Sequence, residues 1–148
     1  MREDLIEQTL IVPIMVPMIV VAAALTDGAG RILLQRRRKG AEHGGLWEFP
    51  GGKLESGEHP RSALVREIAE ELAVVVNESG LVPTGFAATG ADAARPIVLL
   101  LFRCRAWSGE PRCLDADAIA WVAPHDIASL SMPPLDIDLV RNALGITI

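Results

Sequence analysis

Glu67, Glu70 and Glu71 stand close together in the stretch Val65-Arg66-Glu67-Ile68-Ala69-Glu70-Glu71-Leu72. On a helix these positions are i, i+3 and i+4, so the three carboxylates project from one side. Like charges at this spacing cost about 0.2–0.5 kcal/mol per pair. On an arbitrary helix they would form a solvated acidic face. Here a turn carrying Gly51 and Gly52 leads towards them, and its backbone can approach a ligand with no side chain in the way. Hard divalent cations such as Mg²⁺ take oxygen ligands, carboxylates above all, and keep several waters. A helix presenting three carboxylates opposite a loop carbonyl is suited to hold such a cation.

Those side chains need a scaffold, and the chain supplies its signals. Pro60 is placed to open a helix, on which Ala63, Leu64, Ile68 and Leu72 share one apolar face. Met18 to Thr26 reads as a core strand with Pro17 at its entrance. Asp27-Gly28-Ala29-Gly30 between that strand and RILLQRR is a hairpin signal. RRRKGAEHGG follows as a basic loop. IVLLLFRCRAW reads as a long buried strand, AIAWV as a short one and HDIASL as a small helical piece. A last helix is expected from about Leu135 to Leu144, after Pro133-Pro134. Strands and helices alternate irregularly, which predicts an α+β fold with a mixed sheet covered by helices.

A chain of 148 residues, half of them hydrophobic, suggests one domain over residues 1–148 with residues 1–16 as an N-terminal extension. The net charge of −5 argues against nucleic acid or an anionic membrane as main partner. A small anionic substrate stays open, because a metal ion can invert the local sign. The uncharged run LIVPIMVPMIVVAAAL is short of a membrane span and is interrupted by Pro13 and Pro17. An acidic start, MREDLIEQ, does not suit a signal peptide. Cys104 and Cys113 show neither zinc spacing nor a disulfide framework, so a reducing cytoplasm is the expected compartment. His43, His59 and His125 sit in a loop, before Pro60 and at the start of HDIASL, positions with ordinary structural readings.

The run from Gly52 to Val74 resembles the signature of the Nudix hydrolases, with Gly52, Glu58, Arg66, Glu67, Ile68, Glu70, Glu71 and Val74 in register. That signature is long and specific. It departs once, at Ala73, where the family usually has a glycine that helps end the helix, often at positive φ. The resemblance covers most of the chain. WEFPGGK is similar to the approach segment of the MutT branch, which hydrolyses nucleoside triphosphates. Trp107-Ser108-Gly109-Glu110-Pro111 is similar to its later carboxylate-bearing loop, and MPPLDID to its proline-rich lead into the final helix.

The resemblance implies an α/β/α sandwich around a mixed sheet and a set of roles. Gly51 would offer its carbonyl, and Glu67, Glu70 and Glu71 their carboxylates, to Mg²⁺, with Mn²⁺ as a substitute. Glu110 would be a further ligand or base, or simply a turn carboxylate. Arg66 would orient the neighbouring glutamates by charge-assisted hydrogen bonds. Glu58 would pair with Arg66 or meet the metal through water. Lys53 would face substrate phosphates, unless it is merely solvated. One of Arg36 and Arg37 would reach a phosphate or the base; strand alternation prevents both from pointing into the site. Attack of water on an internal phosphorus would release pyrophosphate and leave a monophosphate.

The branch reads oxidised guanine with an amide near its Pro-Pro pair in some members, and the matching position here is Asp136. An ionised aspartate only accepts, which suits the amino group of cytosine; protonated, it also donates, which keeps 8-oxo-dGTP in play. Asp136 has a second reading as the cap of the last helix. The expected partner is therefore a small nucleotide, with no nucleic acid and no membrane, the protein acting as monomer or homodimer. Nucleoside diphosphate-linked substrates such as a dinucleoside polyphosphate or ADP-ribose are the alternative. A non-catalytic nucleotide-binding module is the third reading, and it predicts eroded glutamates.

Overall fold

The computed structural model describes residues 16–148. All but the last position of the expected N-terminal extension, and the start of the apolar run at Leu10, lie outside the described residues. Seven strands follow: β1 (Met18–Leu25), β2 (Ile32–Arg36), β3 (Trp47–Glu48), β4 (Gly51–Lys53), β5 (Val82–Ala88), β6 (Ile97–Cys104) and β7 (Ala118–Val122). Helix α1 spans Pro60–Leu72 and helix α2 Pro134–Asp138, the latter continued by a π-helical turn over Leu139–Ala143. Pro124–Ser129 forms a 3-10 turn. No helix among the described residues is long and apolar enough to cross a membrane.

The strands form two sheets. A mixed four-stranded sheet runs in the order β4-β1-β6-β5, with β1 and β6 parallel and the other pairs antiparallel. An antiparallel three-stranded sheet runs β3-β2-β7. The continuous apolar reading of β1 has a direct cause, since the strand is buried on both faces. Val21, Ala23 and Leu25 pack with Ala63, Leu64, Ile68 and Leu72 of α1. Ala22 and Ala24 pack on the opposite side with Leu139 and Val140 of the last helical segment. Period-two alternation delivers one row of side chains to each layer. The result is a helix–sheet–helix sandwich of the α+β class.

The hairpin expected after β1 is only a turn. Asp27 closes it, its Oδ1 accepting from the backbone N–H groups of Ala29 (3.0 Å) and Arg31 (2.8 Å). Beyond the Thr26–Ile32 bridge the strands part, and β1 pairs with β4 and β6 while β2 pairs with β3 and β7. A turn motif sets the local reversal but not the later partners. β5 was not anticipated, because Pro83 and Gly85 break its pattern; the sheet tolerates them on an edge strand with an irregularity between them.

Helix α1 ends at Ala73 with the backbone that the family's usual glycine would take. Ala73 is the C-cap in the left-handed region, at φ 58° and ψ 29°, and its N–H bonds the Ala69 carbonyl at 3.1 Å. The neighbouring loop stitches this end. Arg112 N–H donates to the Leu72 carbonyl (2.8 Å) and Leu114 N–H to that of Glu71 (3.1 Å), while Ser108 and Val75 exchange two backbone bonds. These bonds hold an alanine where glycine is at ease. Ala73→Gly should therefore stabilise the protein by about 1 kcal/mol. A thermal melt should show this as a Tm gain of about 2–4 °C. An unchanged or lower Tm would mean the left-handed cap is not strained.

Candidate active site

The site is built where β4 passes between β1 and α1. Pairing of Ala22 with Gly51 and of Val21 with Gly52 brings β4 tightly against β1. A Cβ on Gly51 would lie 1.9 Å from the Val21 carbonyl oxygen. A Cβ on Gly52 would lie 2.4 Å from the carboxyl carbon of Glu67. The two glycines thus let a backbone segment slide between a strand and a carboxylate. The apolar stripe of α1 faces the core, and this turns Glu67 and Glu71 towards that segment.

Arg66 organises the outer carboxylates. Its Nε and Nη2 donate to the two oxygens of Glu58, both at 2.8 Å, and its Nη1 donates to Glu67 (2.9 Å) and Glu70 (3.2 Å). Nη2 also reaches the Lys53 carbonyl at 3.3 Å. The Arg66 guanidinium, with the Glu55 N–H, holds the Glu58 carboxyl down at about 2. The fork-to-carboxylate geometry favours the charged form of both partners. Glu58 is therefore ion-paired to Arg66 in this structure.

Glu71 lies inside this arrangement and is buried. Its Oε2 accepts from the Gly51 N–H (3.0 Å) and from the Gln35 side-chain amide (3.2 Å), both neutral donors. Burial pushes its carboxyl up to about 8, reinforced by the nearby Glu67 charge and opposed by the Gly51 and Gln35 hydrogen bonds. The Gly51 contact runs through its N–H, whereas the role implied for Gly51 uses its carbonyl.

A cleft of about 930 Å³ opens beside Glu71, lined among others by Gln35, Arg37, Glu48, Lys53 and Asp136. Arg37 lines it and pairs with Glu48 at 2.8 Å. Arg36, one residue earlier on β2, lies over the Trp47 ring at 5.8 Å and does not line the cleft. Asp136 is buried, and its Oδ2 accepts from the Phe49 N–H at 3.1 Å. Asp136 does not cap α2, whose N-cap is Pro133 with no side-chain cap; it stands in the first turn, where a carboxylate is favoured, and ties α2 to the segment before β4. Burial pushes its carboxyl up to about 7; the Phe49 N–H opposes this and the Glu48 charge adds to it. Glu110 is exposed on the loop beside the end of α1, outside the cleft lining. His59 caps α1, its Nδ1 accepting from Arg61 N–H at 3.4 Å; His43 stands at the cleft and His125 outside it.

Gln35 and Glu48 are among the lining residues that escaped the sequence reading. Gln35 had a visible signal, a polar side chain at the end of an apolar strand and on the face that carries core residue Leu33. Glu48 had none beyond its place in WEFP.

The donor set fits a hard cation in kind. Glu71 is a buried carboxylate whose partners among the described residues are neutral, and the Glu67 carboxylate lies against the Gly52 backbone, so the groups offered are oxygen ligands. Arg66 meanwhile occupies Glu67 and Glu70, and no three His, Cys, Asp or Glu side chains converge among the described residues. Were α1 to hold an ion through Glu67, Glu70 and Glu71, two of them would exchange contacts to Arg66 for it.

A family model described as NUDIX domain matches residues 16–143. A protein of Mycobacterium tuberculosis named putative 8-oxo-dGTP diphosphatase 2 is 36% identical over 138 residues, covering 88% of this chain and 94% of that protein. The CTP pyrophosphohydrolase of Escherichia coli is 33% identical over 134 residues, covering 87% and 93%. Among solved structures, that of the E. coli ORF135 protein superposes with a TM-score of 0.78 at 31% identity, covering 90% of this chain and 94% of that one. The MutT Nudix hydrolase of Burkholderia pseudomallei gives a TM-score of 0.71 at 29% identity, covering 90% and 99%.

Proposed function

The chain belongs to the NUDIX domain family and is a Nudix hydrolase with MutT-like relatives, and from that premise we propose that it cleaves a nucleoside triphosphate to the monophosphate and pyrophosphate with the help of Mg²⁺. One observation carries the reading: Glu71, Lys53, Arg37 and Asp136 share a single cleft. That cleft joins a metal-suited carboxylate, cations for phosphates and a buried group able to read a base edge. When bound, divalent ions neutralise the polyphosphate and acidify the attacking water. The chain's own residues do the rest. Arg66 and Glu58 hold Glu67 and Glu70 in place, Lys53 and Arg37 offer positive charge to phosphates, and Asp136 meets the base. A panel of triphosphates assayed for pyrophosphate tests the reading; release of orthophosphate alone, or activity confined to diphosphate-linked substrates, would overturn it.

For the base we propose a cytidine or an oxidised guanosine nucleotide, selected by Asp136. Relatives bearing both names stand at similar identity. The state of one carboxyl chooses between them. Above about pH 7 the ionised Asp136 only accepts, which favours the cytosine amino group; below it, the carboxyl can also donate, which favours 8-oxoguanine. The ratio of kcat/KM for CTP over 8-oxo-dGTP should rise with pH through that range. Asp136→Asn should flatten the rise and favour the oxidised base. Asp136→Ala should cost about 1–3 kcal/mol in kcat/KM on these substrates and little on dTTP. Equal losses on every base would retire Asp136 as a reader.

A further inference from the structure

Gln35 occupies a position that nothing in the reaction outlined above requires. It sits at the inner end of β2, 5% exposed, among apolar neighbours. Its Nε2 donates to Glu71 Oε2 at 3.2 Å, and it is the one side chain that hydrogen-bonds Glu71 among the described residues. The same oxygen takes the Gly51 N–H at 3.0 Å. The two donors come from different sheets, Gly51 from the four-stranded and Gln35 from the three-stranded one. Both converge on Oε2, and neither is spent on Oε1.

The amide carries a cost. Its own carbonyl oxygen is buried with no hydrogen-bond partner among the described residues. With Glu71 ionised, as ion binding requires, reversing the amide would not help, because the oxygen would then face the Glu71 carboxylate. A buried acceptor without a donor destabilises a fold. An apolar side chain of similar length would fill the space without that penalty, so packing alone gives no reason for a glutamine.

We propose that Gln35 is a positioning residue for Glu71: with Gly51 it pins one carboxylate oxygen and leaves the other for a divalent cation. The inference rests on the reading that the α1 glutamates hold the ion. Outer partners of this kind tune metal affinity by about 10–100-fold.

Gln35→Met keeps the bulk and removes both the donor and the orphaned carbonyl. Mn²⁺ binding to the free protein, followed by titration, should weaken about 10–100-fold in this variant. Its Tm without metal should stay within about 2 °C of the parent or rise, because lost and relieved hydrogen-bond terms offset each other. A larger fall in Tm, with or without weaker Mn²⁺ binding, would make the amide structural and overturn the proposal. Unchanged Mn²⁺ affinity would overturn it as well. Glu71→Gln measured alongside separates the two levels. If that variant loses Mn²⁺ while Gln35→Met does not, only the role of Gln35 fails. If neither loses it, the assignment of the glutamates to the ion fails too.

Discussion

Hydrolysis is expected to fall to background in excess chelator and to return on titration with Mg²⁺ or Mn²⁺ at roughly millimolar levels, because open carboxylate sites that keep several waters bind such ions weakly. The reason is electrostatic. The cleft carries Glu48, Glu71 and Asp136, with Glu67 beside it, and a polyphosphate brings several negative charges of its own. Arg37 is already paired to Glu48, Arg38 to Asp115 and Arg66 to four partners, which leaves Lys53 and Arg95 as the lining cations outside an ion pair among the described residues. Without divalent ions the substrate and the site repel each other, and carboxylates alone are weak bases towards an unactivated water. The measurement is pyrophosphate release against metal concentration in chelexed buffer. Full turnover in chelator would end the metal-dependent reading.

What could be read from the sequence was whatever a short window encodes. The apolar face of α1, the double burial of β1 and the spacing of the glutamates are properties of single segments, and each has its counterpart in the structure. The helix exit was less legible: the alanine in place of the usual glycine left it open, and Ala73 adopts the left-handed conformation all the same. What depends on partners far along the chain was not legible. The Asp27 turn announced a hairpin, yet β1 and β2 joined different sheets because each found longer pairings elsewhere. Asp136 offered a helix-start carboxylate or a cleft residue at equal cost, and its bond from Phe49, 87 positions away, was not legible in either reading. Gln35 shows the limit most sharply. Its polarity within an apolar strand was visible, but its meaning comes from Glu71, 36 positions on.

Glu71→Gln is expected to lower kcat by at least about a hundredfold, the scale lost with a key electrostatic group, while making the metal-free protein more stable at high pH. The two effects share one cause. Glu71 is buried without a cationic partner, so its carboxyl sits at about 8 in the folded protein against 4.5 for an ordinary glutamate. Between those values the folded state binds more protons than the unfolded state. Metal-free stability therefore falls as pH rises through that window, by up to about 1.4 kcal/mol per pH unit for one proton. Glutamine has no proton to lose, so the variant should show a shallower fall, its remaining slope set by Asp136 and other groups. Urea melts at pH 5.5 and 8 on both proteins, without divalent ions, test the sign. Mg²⁺ should restore the parent at pH 8 and do less for the variant, since its charge is what makes the buried carboxylate tolerable. Glu70→Gln provides the contrast. Glu70 is exposed and shares Arg66, so its loss should cost comparable turnover with little change in the pH slope. Near-normal kcat in Glu71→Gln together with an unchanged pH slope would mean that this carboxylate is neither strained by burial nor committed to an ion. The glutamates of α1 would then owe their places to packing and to Arg66 rather than to an ion.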